Sequence, residues 1–150
     1  MLFRSEATAG RCGVKVYIAG PMSSKPLYNF PAFDAVAFDW REHGNVVASP
    51  PDITRAFWWD RFGRQYNPET DRAEWGDAVT CELFKRDLAA VCDADVIVVL
   101  DGWEHSRGAR IEVAVANALR KRVVSASTLC DYSPAMLLDL LQSALTPTPA

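Results

Sequence analysis

The stretch DVIVVLDGWEHSRGARIEVAVANAL, residues 95–119, decides the fold. It opens on an apolar run closed by Asp101-Gly102, the pattern of a strand buried on both faces. From Ala109 onward it reads as a helix. Ile111, Val113, Ala114, Val115, Ala116, Ala118 and Leu119 make that helix apolar on nearly every side, as expected of a buried one. RVVSAS, 122–127, reads as the next strand. Strand, helix and strand in this order form the crossover of a parallel sheet.

Working outward, VKVYIAG, 14–20, is a short β-rich run that stops at Gly20-Pro21. PMSSKPLYNF continues as a loop. PAFDAVAFDWREHG places Phe33, Ala37 and Trp40 about one turn apart, with Phe30 just ahead and Gly44 as a stop, which predicts an amphipathic helix. NVVASPPD is a second short strand ended by two prolines. VTCELFKRDLAAVCDA, 79–94, predicts a helix with Leu83, Leu88 and Val91 facing inward. SPAMLLDLLQSAL predicts a last helix with Ser133 as N-cap and Pro134 at its first position.

The alternation predicts the α/β class: a single-domain doubly wound parallel sheet, Rossmann-like or flavodoxin-like, with helices on both faces. The expected organisation is a flexible leader over 1–13, the α/β domain over 14–145 and a tail over 146–150. Residues 53–78 stand out as an aromatic insert. They hold three of the five tryptophans, with no clean period, and long loops of this kind tend to be functional. Ligands of such sheets bind at the carboxyl ends of strands. The segments expected there are 20–29, 49–78 and 101–110.

A chain of 150 residues suits one domain with a real core. A net charge of −3 and no long basic run argue against a nucleic-acid polymer as partner. None of the four cysteines forms a C-x-x-C pair, and no signal sequence or membrane-length apolar run is evident. Free thiols in a cytoplasmic protein, away from membranes, are the expectation.

Glu112 is the most informative residue. It sits near the start of the apolar helix, where free N–H groups and the helix dipole favour an anion. The expectation is an ionised carboxylate of low pKa, which serves as a nucleophile rather than an acid. The alternative is an ordinary surface glutamate. Ser106 is placed to cap this helix or hold an anion, Gly108 allows close backbone approach, and Arg107 and Arg110 flank them. Asp87 lies among Leu83, Leu88 and Val91, where a second carboxylate suits acid–base work; a helix-surface acid paired with Lys85 or Arg86 is the alternative. Tyr17, in the first strand, has its hydroxyl toward the strand's carboxyl end; core packing is the alternative. His43 and His105 have no helical pairing, so no metal is expected.

Three segments in order, VYIAGPMSSKPLYNFPAFDAVAFDWREHG, KRDLAAVCDADVIVVLDGW and SRGARIEVAVANAL, resemble the nucleoside 2-deoxyribosyltransferase-like superfamily. The nearest likeness is to its small phage and bacterial branch; the superfamily also holds the 2'-deoxynucleoside 5'-phosphate N-hydrolases. The resemblance covers residues 14–127 apart from the aromatic insert. It implies that Glu112 attacks C1' of the sugar, that Asp87 helps protonate the departing base or orients the sugar, and that Tyr17 positions the glutamate. It implies substrate contacts from Gly20, Pro21, Met22, Ser23 and Ser24, from Asp101 and Trp103, and from Ser106 and Gly108. The transferases carry an aspartate six residues before the nucleophile; Ser106 stands there, as in the nucleotide hydrolases, where serine meets the 5'-phosphate.

The resemblance therefore implies an N-glycosidase that cleaves a (deoxy)nucleoside 5'-monophosphate to base and sugar 5-phosphate, without cofactor, as a homodimer. A base-exchanging deoxyribosyltransferase and a non-catalytic nucleotide sensor are the alternatives. The insert at 53–78 is expected to cover the base side of the pocket; its aromatics as a dimer contact are the alternative.

Overall fold

The computed structural model describes residues 13–145, so the expected tail and all but the last residue of the expected leader lie outside it. Five strands form one sheet: β1 (Lys15–Ala19), β2 (Val46–Ala48), β3 (Val96–Val99), β4 (Arg122–Ser125) and β5 (Asp131–Tyr132). Their order is β2-β1-β3-β4-β5. The first four are parallel, with Tyr17 beside Ala48 on one flank and Ile97 on the other.

Alternation along each strand sorts side chains to two faces. Tyr17, Ala19, Ile97, Val99 and Val123 face one core. They meet Val91 of α3 (Asp77–Asp93), Val113 and Ala116 of α4 (Arg107–Ala118) and Leu137 of α5 (Pro134–Leu145). Val16, Ile18, Val96, Val98 and Val124 face the other, against Phe33 and Ala37 of α1 (Phe30–Glu42). Helices thus cover both faces of a Rossmann-like sheet. Burying each such side chain contributes about 1.5–3 kcal/mol. The cap expected for α5 is formed, with Met136 N–H donating to Ser133 Oγ at 3.2 Å.

Two elements differ from the sequence expectation. The sheet is not wholly parallel: β5 runs antiparallel to β4. A strand of two residues leaves no apolar run to read, and the short connection from β4 allows only a hairpin. The larger difference is α2 (Pro50–Phe62), which occupies much of the segment expected as loop. Its two prolines start a helix rather than merely end a strand. Ser49 accepts the Asp52 N–H at 3.3 Å, Pro50 and Pro51 fill the first turn, and Gly63 closes the helix at φ 67°. Those are N-cap, first-turn proline and left-handed C-terminal signals. Apolar periodicity was the wrong signal there, because the aromatic face of α2 does not meet the main core. Phe57 and Trp58 pack with Phe30, Tyr66 and Leu83 in a separate cluster.

Helix α4 is also less enclosed than its composition implies. Ile111, Ala114 and Ala118 are exposed, so the helix has a solvent face made of small and apolar residues.

Candidate active site

A cavity of about 260 Å³ opens at the carboxyl end of the sheet. It lies near the small end of ligand sites. Gly20, Met22 and Ser23 enter it from the loop after β1, and Pro50 and Thr54 from the first turns of α2. Thr80, Leu83, Phe84 and Asp87 come from one stripe of α3, at intervals of three and four residues that share a helix face. Ser106, Gly108, Ala109 and Glu112 come from the start of α4. A Cβ on Gly20 would lie 2.8 Å from the Leu100 side chain, so only glycine lets the loop cross there. At Gly108 the nearest atom would be 4.0 Å away, so packing does not require that glycine.

Glu112 is 5% exposed and faces inward from α4. The structure reverses the expected direction of its pKa: burial pushes the carboxyl well above its ordinary value, and the nearby Asp87 charge adds to this. The physical reason is its position. The free N–H groups lie in the first turn, where Ser106 Oγ accepts the Ala109 N–H at 3.3 Å, whereas Glu112 stands a turn further in. The dipole weakens beyond that turn. Asp87 is likewise raised by burial, to about 7, and its Oδ1 is buried without a partner. Tyr17 lies fully buried beneath both groups. Burial raises its pKa first, and the charges of Glu112 and Asp87 raise it further. Its hydroxyl is near enough to steady Glu112, yet it forms no hydrogen bond of good length and angle. Two desolvated carboxyls on one cavity, one of them raised by the other's charge, hold a proton more readily than they both ionise.

The structure therefore brings Glu112, Asp87, Gly20, Met22, Ser23, Ser106 and Gly108 to one cavity, with Tyr17 under it. It places four expected substrate contacts elsewhere. Trp103 is 1% exposed and packs edge-on against Tyr132, because the turn after β3 folds it into the core. Asp101 accepts from Ser127 Oγ at 2.8 Å and lines a separate depression with Lys25 and Asn29. Pro21 is buried in the loop, and Ser24 is exposed outside the cavity wall.

Two residues of the 53–78 insert, Arg72 and Trp75, line the same cavity; Trp75 is one of the aromatics expected over it, and Arg72 is not singled out by the sequence. They come from the segment between α2 and α3. That segment is fixed by Tyr66, which packs on Trp58, Phe30 and Trp75, and by a bidentate Arg64–Asp71 pair. The Arg64 bonds hold the Asp71 pKa down to about 2. Part of the insert thus does stand over the cavity, while Trp59 points away and is exposed. Cys81, Cys92 and Cys130 are free and exposed; Cys12 lies outside the described residues. No helix among the described residues is long and apolar enough to cross a membrane.

A family described as a domain of unknown function, DUF4406, matches residues 14–125. The chain belongs to the DUF4406 family. The match runs from β1 to the end of β4, so it takes in every residue that lines the cavity. A search of the curated proteins finds no match to the chain.

Proposed function

We propose that this DUF4406 chain is an N-glycosidase that hydrolyses a (deoxy)nucleoside 5'-monophosphate to free base and sugar 5-phosphate. The observation that carries the reading is the pair of desolvated carboxyls, Glu112 and Asp87, on the wall of one cavity. A retaining glycosidase uses such a pair in two roles.

The chemistry follows from the shared proton. In the productive form the shared proton has passed to Asp87 and Glu112 is ionised, the reverse of the arrangement that the Asp87 charge favours in the free protein. A Glu112 oxygen attacks C1', the C1'–N bond breaks, and its electron pair leaves with the base as Asp87 delivers its proton. The sugar is then an ester of Glu112. Asp87, now a carboxylate, takes a proton from water, whose oxygen attacks C1' and releases Glu112. The net change is addition of one water across the glycosidic bond. Tyr17, kept neutral by its raised pKa, is a donor beside Glu112 and acts as a positioning residue.

Ser106 and the N–H groups at the start of α4 suit the 5'-phosphate. Gly108 supports this, since the space beside it is not needed by the protein's own packing. The reading also makes the protein a member of the nucleoside 2-deoxyribosyltransferase-like superfamily. It acts as a cytoplasmic homodimer and needs no cofactor, nucleic-acid polymer or membrane.

Incubation with a panel of nucleoside 5'-monophosphates, followed by chromatography, tests it. Free base should appear with at least one of them, and without a second base being present. Exchange of bases with no net hydrolysis would instead mark a transferase. Glu112→Gln keeps the side chain's shape and should lower kcat by several orders of magnitude, with Kd changed within about tenfold. Near-parental turnover by Glu112→Gln would sink the mechanism.

A further inference from the structure

Arg72 is a cation on the cavity wall that the carboxylate chemistry does not use. Its guanidinium sits 3.8 Å from the Trp75 ring centre and 4.8 Å from that of Tyr28. Among the described residues it makes no ion pair and donates no hydrogen bond. Trp75 lines the same cavity, and its indole N–H is buried without a partner. Arg72 therefore stands on the wall as a donor fork with no acceptor in the protein, backed by the Trp75 ring. A cationic donor without an acceptor is open to one supplied by a ligand, and a charge-assisted hydrogen bond of that kind is among the stronger ones.

The surroundings hold Arg72 in place from two sides. Asp71, the preceding residue, is locked by Arg64 at 2.8 Å and by the Asn67 N–H at 2.7 Å. Across from it, Leu27, Tyr28 and Asn29 take φ of 51°, 52° and 61°. Consecutive non-glycine residues in this region are strained, and such strain collects at functional sites. Here it carries the Tyr28 ring to Arg72. Asn29 Nδ2 fastens the same loop by donating to the Pro21 carbonyl at 2.9 Å.

We propose that Arg72, held against Trp75 and Tyr28, is a specificity-determining residue that selects a base presenting a carbonyl oxygen over one presenting an exocyclic amine at the same position. This rests on the N-glycosidase reading for the identity of the ligand as a nucleotide. Arginine offers donors in a rigid planar fork and no acceptor, so it pairs with an oxo group beside a ring nitrogen. An exocyclic amine turns its hydrogens toward the guanidinium and is disfavoured. The start of α4 supplies the phosphate's partners. Arg72 enters from the α3 side, which leaves it for the base. Asp87, the proton donor to the base, belongs to that side too.

Calorimetric titration of the intact protein with free bases tests the assignment without turnover. Hypoxanthine is compared with adenine, which keeps the N7 acceptor and carries an amine where hypoxanthine has its oxo group. Hypoxanthine should bind about tenfold or more tightly than adenine, as one bidentate contact discriminates. Arg72→Leu should bring that ratio within about twofold of unity. Arg72→Lys keeps the charge and loses the fork, so the ratio should fall with it; thermal melting checks that both variants fold. Equal binding of the two bases, no binding of either, or a ratio that survives in Arg72→Leu overturns the assignment. So does loss of monophosphate over nucleoside preference with the base ratio intact, which would make Arg72 a phosphate ligand. A retained oxo preference in a protein that releases no base counts against the glycosidase and not against Arg72.

Discussion

Asp87 makes the charge state of the cavity visible in stability. Its folded pKa is about 7 against an ordinary 3.8, raised by burial. Between those values the folded protein keeps a proton that the unfolded chain has released. Stability is therefore full at the acid end of this window and falls as pH rises through 7, by about 1.4 kcal/mol per pH unit at the steepest. Glu112, also raised, adds to the fall with the same sign. Denaturant midpoints should drop between pH 5 and pH 8, and Asp87→Asn should remove about half of that drop or more. A variant that loses as much as the parent would mean that Asp87 is not the group that resists ionisation. The inward position of Glu112 was legible because a carboxylate stood among residues that only a core would take. The direction of its pKa was not. Sequence shows distance from the helix start in residues, and here one further turn separates dipole support from plain desolvation.

Elements are legible to the extent that their packing partner is the sheet. β1, β3, β4, α1, α3 and α4 all face it, and their periodicity shows this in the residues themselves. Helix α2 packs on an aromatic cluster outside the main core, so its pattern follows no simple face. Its ends were still readable in Ser49-Pro50-Pro51 and Gly63, as stop and start signals rather than as hydrophobic spacing. The start of α4 has two duties that a substitution can separate. Ser106 caps the helix, and removing a cap costs about 1 kcal/mol. It also lines the cavity, at the place proposed above for the phosphate. Ser106→Asp keeps a good cap and sets a negative charge there. The melting temperature should stay close to the parent's, while KM for a nucleoside monophosphate rises more than about tenfold and KM for the free nucleoside changes little. If both substrates respond alike, Ser106 acts through the helix and not on phosphate.

At the scale of the molecule, the cavity gathers wall residues from the loop after β1, from α2, from the segment before α3, and from α3 and α4. Those parts are joined at one end of the sheet and are spread over most of the matched family domain. A ligand that binds there must stabilise the native state by mass action, about 2.7 kcal/mol at a hundredfold excess over Kd. For a domain of this size that is a rise of several degrees in melting temperature. Glu112→Gln allows the measurement with an uncleaved nucleoside monophosphate. Hydrogen exchange should then slow in residues 71–87 and 103–112, where the wall residues lie. It should change least in β5 and α5, which contribute nothing to the cavity. This pattern follows from geometry and is independent of catalysis, so it also holds for a protein that only senses nucleotide. Protection that appears in β5 and α5 while sparing residues 71–87 would place the ligand on another surface, and would remove the cavity as the basis for both the glycosidase and the base selectivity assigned to Arg72.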